Sequence, residues 1–162
     1  MNGHTTVRFD GVNQYGVNAI IPIPQPATYY AVFKQITWTA NRSIFDSNGG
    51  IQHYIQQNAI SPNLKCYAGA LSLDLNPALA LNTYGIVTCV FNGANSEFRN
   101  NNNASQIGNF GNNNLIGLAL ANFDNAGNNG NCEWSYLIIR SAADNTSTQN
   151  LFINYLKNRF AL

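Results

Sequence analysis

The chain has 162 residues, of which 45% are hydrophobic and 9% are charged, and its formal net charge is +1. This hydrophobic fraction can build a core and excludes a disordered chain, and the near-zero charge excludes a surface that collects nucleic-acid phosphates or anionic lipid. The length suits one domain, so we expect residues 1–162 to form a single domain. No apolar run reaches the length of a signal peptide or a membrane span, so no membrane insertion is expected.

The first half of the chain consists of short runs of β-branched and aromatic residues separated by Gly, Asn and Pro. "TVRFDG" and "YGVNAII" predict two strands, and "PIPQP" is expected to interrupt the second, because proline cannot donate to a β-ladder. "TYYAVFKQITW" predicts the longest strand, and both of its faces are apolar, which is typical of a strand covered on both sides. "RSIFDS", "GIQHYIQQ" and "LKCYAG" predict three shorter strands.

Asparagine is concentrated in residues 91–114, where almost no charge is present. "TYGIVTCVF" predicts a buried strand, Asn92-Gly93 is typical of a type I′ hairpin turn, and "ANSEFRN" predicts the returning strand. A second turn is expected at residues 100–103, after which "SQIGNF" and "LIGLALANF" are expected to continue the meander. Because asparagine tolerates left-handed backbone and closes turns with its side chain, we predict turns here and not an aggregation-prone tract.

The end of the chain changes from strand to helix. "CEWSYLIIR" predicts a strand buried on both faces, and "TSTQNLFINYLKNRFAL" carries five large apolar residues at helical spacing. Thr146 and Gln149 are expected to form a capping box, while Lys157 and Arg159 suit the last turn of the helix. Many short strands followed by one helix suggest a sandwich or a jelly roll.

Three segments resemble a known family, the concanavalin A-like, laminin-G-type jelly rolls. "VRFDGVNQYGVNA" resembles their opening strand pair, "YGIVTCVFNGANSEFRNN" their central hairpin, and "WSYLIIRSAADNTSTQNLFINYLKNRF" their last strand and following helix. Gln14 and Tyr136 depart from the family's pattern, which often has an acidic residue at these positions. The resemblance implies an all-β fold, a two-sheet antiparallel jelly-roll sandwich with one short C-terminal helix, and a role in recognising glycans or proteins.

The residues that catalysis would need are sparse, so we expect no enzyme activity. Glycoside hydrolysis needs two placed carboxylates, and the two glutamates, Glu97 and Glu133, are far apart in sequence. Glu97 is expected to pair with Arg99 or with solvent. His53 is expected on a sheet surface, and no G-x-S-x-G sequence supports a nucleophilic serine.

A metal site and a disulfide are both left open by the sequence. Residues 122–133 form an oxygen-rich loop of the kind that can wrap calcium, with Asp124 as the candidate ligand, against the alternative of a plain loop. No other cofactor is expected. Among the three cysteines, Cys89 is expected to be buried, and a disulfide between Cys66 and Cys132 is one option.

Sugar binding requires an aromatic platform for the ring and planar polar groups for the hydroxyls. The candidate ligand-binding residues are Trp38, Trp134, Tyr54, Asn128 and Asn129, and Tyr67 lies near them in sequence. For each tryptophan the alternative is a core position, and for the asparagines it is a role in turns.

Two functions follow from these candidates. We expect a recognition module for neutral carbohydrate, located outside a cell or on a virion surface. The alternative is a structural surface domain, for example of a phage, that contacts other proteins, and an uncovered strand edge would also allow a homo-oligomer. A glycan binder should expose a tryptophan at a concave face or loop rim, whereas an assembly domain should expose a contiguous apolar patch.

Overall fold

A computed structural model of the chain describes residues 3–70, 73–75, 79–122 and 127–162. The described elements are, in chain order, β1 (Val7–Asp10), β2 (Gly16–Ile23), β3 (Ala27–Gln35), β4 (Ser43–Asp46), β5 (Tyr54–Gln57), β6 (Leu64–Tyr67), β7 (Leu73–Leu75), β8 (Gly85–Phe91), β9 (Ser96–Asn100), β10 (Gln106–Gly108), β11 (Leu115–Leu120), β12 (Asn131–Arg140) and the helix α1 (Thr146–Phe160).

The strands form two six-stranded antiparallel sheets. Sheet A has the order β1-β12-β3-β8-β9-β10, and sheet B has the order β2-β11-β4-β5-β6-β7. Large aromatic side chains from both sheets fill the space between them, among them Tyr29 and Phe91 from sheet A and Phe45 from sheet B. The two-sheet sandwich with a C-terminal helix that the sequence predicted is therefore confirmed.

Helix α1 covers the outer face of sheet A. Its buried residues Ile153, Leu156 and Phe160 pack against Tyr30 and Val32 of β3. On the other face of the same strand, alternate residues enter the core between the sheets. The helix thus explains why β3 is apolar on both faces, as the sequence predicted.

The N-terminal cap of α1 differs from the predicted capping box. The helix begins at Thr146, and its cap is Asn145, whose Oδ1 accepts a 2.9 Å hydrogen bond from the backbone N–H of Thr148. Gln149 is buried and uses its side-chain Nε2 to donate to the Asp144 carbonyl and to Glu97 Oε2. A neighbouring asparagine is an equally good cap, and the Gln149 side chain binds tertiary partners instead of the helix terminus.

The asparagine-rich segment forms turns, as predicted, although the first turn has a different geometry. Asn101 has a left-handed φ of 46°, and its side-chain Oδ1 accepts a 3.0 Å hydrogen bond from the Ile86 N–H. Between β8 and β9, however, a single turn of 3₁₀ helix (Gly93–Asn95) replaces the predicted type I′ turn. Asn92 has a φ of −152°, and the Ser96 hydroxyl accepts from its backbone N–H, which closes this wider connection.

One prediction of strand continuity is wrong. The chain does not continue as a meander after β10, because β11 joins sheet B between β2 and β4. Residues 109–114, the crossover segment, carry the chain from one sheet to the other. Pro22 lies inside β2, which is an edge strand, and the strand ends at Ile23, within the "PIPQP" segment that was predicted to interrupt it.

His53 is fully buried, so the prediction of a sheet-surface histidine is wrong. Its ring packs among Tyr29, Phe45 and Phe91, with 3.8 Å between the ring centroids of His53 and Phe91. Its Nδ1 lies 2.8 Å from the Asn113 carbonyl oxygen of the crossover segment. Burial lowers the pKa of His53 to about 4, so the imidazole is neutral at physiological pH.

Candidate functional site

The outer face of sheet B carries a cluster of aromatic and polar side chains. Side chains alternate along β5 and β6, and because Ile55, Leu64 and Cys66 enter the core, their neighbours point away from it. These neighbours are Tyr54, Gln56, Lys65 and Tyr67, which we call the tyrosine face.

The tyrosine pair is the centre of this face. Tyr54 and Tyr67 are directly opposite in the β5–β6 register, and their rings stack with 5.1 Å between centroids and 14° between planes. Tyr54 is 8% exposed, whereas Tyr67 is only half-buried and is the more accessible of the two. Burial raises the pKa of Tyr54 to about 12, which keeps its hydroxyl neutral and able to donate or accept a hydrogen bond.

Polar groups surround the tyrosine pair. Lys65 Nζ lies 5.8 Å from the Tyr54 ring centroid and donates a 2.7 Å hydrogen bond to Asn41 Oδ1. Partial burial lowers the pKa of Lys65, and the charge of Asp74, its register partner on β7, opposes this shift. Asn41 and Asp74 are both exposed. A partly exposed aromatic ring, an amide, an ammonium and a carboxylate thus lie on one face.

The other predicted ligand-binding residues lie elsewhere. Trp134 faces the core from sheet A, is 4% exposed and stacks on Phe33. It therefore occupies a core position, which was the alternative to a role in ligand binding. Trp38 is half-buried in the loop after β3. Asn128 and Asn129 close loops: the Asn128 carbonyl accepts from the Ser43 N–H at 2.9 Å, and Asn129 Nδ2 donates to the Val12 carbonyl at 2.7 Å. Of the five predicted residues, Tyr54 lies on the tyrosine face.

Sequence reasoning missed Lys65 and Asn41 as members of this face, and it did not pair Tyr54 with Tyr67. A signal was present in the sequence, since "YIQQ" and "LKCY" are adjacent strands whose alternate residues are polar or aromatic. Pairing them as a hairpin places Tyr54 opposite Tyr67. Asn41 comes from the loop before β4, and no local pattern indicates that it lies beside Lys65.

The two glutamates are engaged in separate structural contacts. Glu133, on the outer face of sheet A, accepts hydrogen bonds from Thr6 and Tyr84 and forms a 2.9 Å ion pair with Lys34. These hydrogen bonds, with the charge of Lys34, lower the pKa of Glu133 to about 2. Glu97 accepts from Gln149 of α1, a partner that the sequence did not predict. The two carboxylates therefore do not face each other across a common cleft.

An apolar groove opens at the side of the sandwich where β1 and β2 are the edge strands. Its volume is about 460 Å³, and its lining includes Val7, Phe9, Tyr15 and Trp134. Val7 is 55% exposed and Tyr15 is 50% exposed, so the rim of this β1–β2 groove is an exposed apolar patch.

The predicted calcium ligand, Asp124, lies outside the described residues. Within the described part of the chain, no three His, Cys, Asp or Glu side chains are grouped so that they could hold a metal ion. Calcium binding by the loop therefore remains a prediction from sequence. Among the helices that the structure describes, none has the length and apolar character needed to cross a membrane.

Comparisons by sequence return no matching family model and no matching curated protein. By structure, the chain is similar to Trypanosoma rangeli sialidase, with a TM-score of 0.70, 9% identity, 94% of this chain covered and 27% of that chain covered. It is similar to the heptameric SAP-like pentraxin of Limulus polyphemus, with a TM-score of 0.67, 12% identity, 90% of this chain covered and 79% of that chain covered.

A candidate carbohydrate-binding protein of Bacteroides ovatus is also similar, with a TM-score of 0.65, 13% identity, 91% of this chain covered and 46% of that chain covered. The chain thus spans about a quarter of the sialidase and about half of the Bacteroides protein. At these sequence identities the comparisons show a similarity of fold only, and binding proteins and an enzyme share this fold. The chain has the concanavalin A-like, laminin-G-like jelly-roll fold that its sequence resembles.

Proposed function

We propose that this chain is a non-catalytic recognition module that binds neutral carbohydrate through the tyrosine face. The observation that carries the proposal is the stacked Tyr54–Tyr67 pair, flanked by Lys65 and the exposed amide of Asn41. The fold shared with the Bacteroides protein adds support. Recognition of this kind fits a domain at an extracellular or virion surface.

Each group has a distinct role in binding. The solvent-accessible part of the half-buried Tyr67 packs against the C–H face of a pyranose, and the stacked Tyr54 holds the Tyr67 ring in place. Asn41 and Lys65 already share a hydrogen bond, so they are oriented before ligand arrives and lose little entropy on binding. Asp74 supplies an acceptor for sugar hydroxyls. It also offsets the charge of Lys65, which favours a neutral ligand over an anionic one.

A glycan array screened with the wild-type protein tests this proposal, with affinities then measured by calorimetry. We expect selective binding to neutral glycans, and we expect Tyr67→Ala to weaken it by about tenfold or more, because it removes the exposed platform. Tyr155→Ala is the matched control, since Tyr155 is 49% exposed on α1, on the outer side of sheet A. Equal affinity of Tyr67→Ala and wild type for the same glycan would contradict the proposal.

A second candidate function is protein–protein contact through the β1–β2 groove. It rests on the exposed apolar rim of Val7 and Tyr15 beside two edge strands. This is the structural role of a phage, virion or other surface domain, and the heptameric pentraxin with the same fold supports a homo-oligomer as one form of it. Light scattering distinguishes the two: a wild-type oligomer that Tyr15→Lys converts to a monomer supports the groove as an interface.

A further inference from the structure

Two buried cysteines face each other across the core. Cys66 lies on β6 of sheet B and Cys89 on β8 of sheet A, and both side chains are fully buried. Their Sγ atoms are 2.8 Å apart. The third cysteine, Cys132, lies on β12, where its Sγ lies 3.7 Å from the Gly130 carbonyl oxygen. The sequence left a Cys66–Cys132 pair open, and the fold instead brings Cys66 to Cys89.

We propose that Cys66 and Cys89 form a disulfide that links sheet B to sheet A when the chain folds in the presence of a small-molecule disulfide. A disulfide bond is about 2.0 Å long, so each sulfur would move by only about 0.4 Å from its present position. The residues around the pair need little rearrangement, because both side chains already point into the core from facing strands.

The chemistry requires an oxidant, and glutathione disulfide is sufficient. One cysteine thiolate attacks glutathione disulfide, which forms a mixed disulfide and releases one glutathione thiolate. The second cysteine thiolate then attacks the protein sulfur of the mixed disulfide, forms the Cys66–Cys89 bond and releases the second glutathione. Two protein thiols lose two protons and two electrons, and one glutathione disulfide is reduced to two glutathione thiols.

The time at which this reaction occurs follows from burial. Both thiols are shielded from solvent, and burial raises the pKa of Cys89, so the reactive thiolate is scarce in the folded protein. We therefore expect thiol–disulfide exchange to occur during folding and to be slow in the native state. The bond would also hold the tyrosine face in place, because Cys66 lies between Lys65 and Tyr67 and the bond would fix β6 to sheet A.

Oxidative refolding tests the proposal. Reduced protein is refolded from denaturant with a mixture of reduced and oxidised glutathione, and its thiols are counted after denaturation. We expect the count to fall from three to one, the mass to fall by about 2 Da, and peptide mapping to join Cys66 to Cys89. The melting temperature should be higher by about 5–10 °C than that of the reduced protein, since the bond closes a loop of more than twenty residues.

Serine variants provide the controls. Cys132→Ser should lose both remaining thiols on oxidation, whereas Cys89→Ser should keep both of its thiols. Three thiols in oxidatively refolded wild type, or a mapped bond to Cys132, would overturn the proposal. Thiol counting and mapping on the wild-type protein decide the question even where a serine variant folds poorly.

Discussion

Gly111→Ala is expected to lower the free energy of unfolding by about 3 kcal/mol or more. Gly111 lies in the crossover segment with a left-handed φ of 99°, and a Cβ atom there would lie 2.2 Å from the Ala68 carbonyl oxygen and 2.5 Å from the Ala70 nitrogen. Both atoms belong to backbone that hydrogen-bonds to Phe110, so neither can move away cheaply. Urea denaturation monitored by fluorescence measures the effect.

Gly50→Ala is the matched control for this prediction. Gly50 also has a left-handed φ, of 80°, but no atom lies within 4 Å of where its Cβ would be. The substitution therefore carries backbone strain without a steric clash and should cost about 1 kcal/mol. Similar losses in the two variants would mean that the crossover segment does not pack against the end of β6 as described.

Acid is expected to destabilise the protein through His53. The pKa of His53 is lowered to about 4 by burial, whereas an unfolded histidine has a pKa of 6.5. Above pH 6.5 both states hold the neutral ring, and below it the unfolded state gains a proton that the folded state does not accept. Stability is therefore lost as the pH falls from 6.5 towards 4, by about 2 kcal/mol between pH 7 and pH 5.

The comparison with His53→Phe isolates this effect. Phenylalanine fits among the aromatic neighbours of His53 but cannot titrate, so the variant should lose less stability than wild type over the same pH range. The stabilisation from Glu133, whose pKa is lowered to about 2, is present above the unfolded value of 4.5 and is lost only below it, so it barely changes between pH 7 and pH 5. Parallel stability curves for wild type and His53→Phe, measured by urea denaturation from pH 7 to pH 5, would refute the prediction.

The sequence predicted those parts of the fold that depend on local pattern. The burial of β3 on both faces follows from its continuous apolar residues, and the turns of the asparagine-rich segment follow from the backbone preferences of asparagine. The partner of each strand could not be predicted in this way. β1 and β2 are consecutive yet lie in different sheets, and β11 leaves the meander, because long-range pairing depends on the whole core and not on local residues.

The candidate site was only partly predictable for the same reason. Tyr54 was named as a candidate aromatic residue, but its place in the site depends on stacking with Tyr67, thirteen residues away, and on the loop that carries Asn41. His53 was assigned to a sheet surface from the sequence. The structure instead places its ring among Tyr29, Phe45 and Phe91, with the Asn113 carbonyl of the crossover segment beside the histidine Nδ1, and local sequence predicts none of these long-range contacts.

The most direct test of the tyrosine face is a titration of ¹⁵N-labelled protein with a neutral glycan that binds on the array, followed by NMR. We expect the largest amide shift changes to map to β5, β6 and the loop around Asn41, and we expect Tyr67→Ala to need about tenfold more glycan or more to reach the same shift changes. Shift changes confined to the β1–β2 groove around Tyr15 and Trp134 would contradict it and would place the binding surface at the edge of the sandwich.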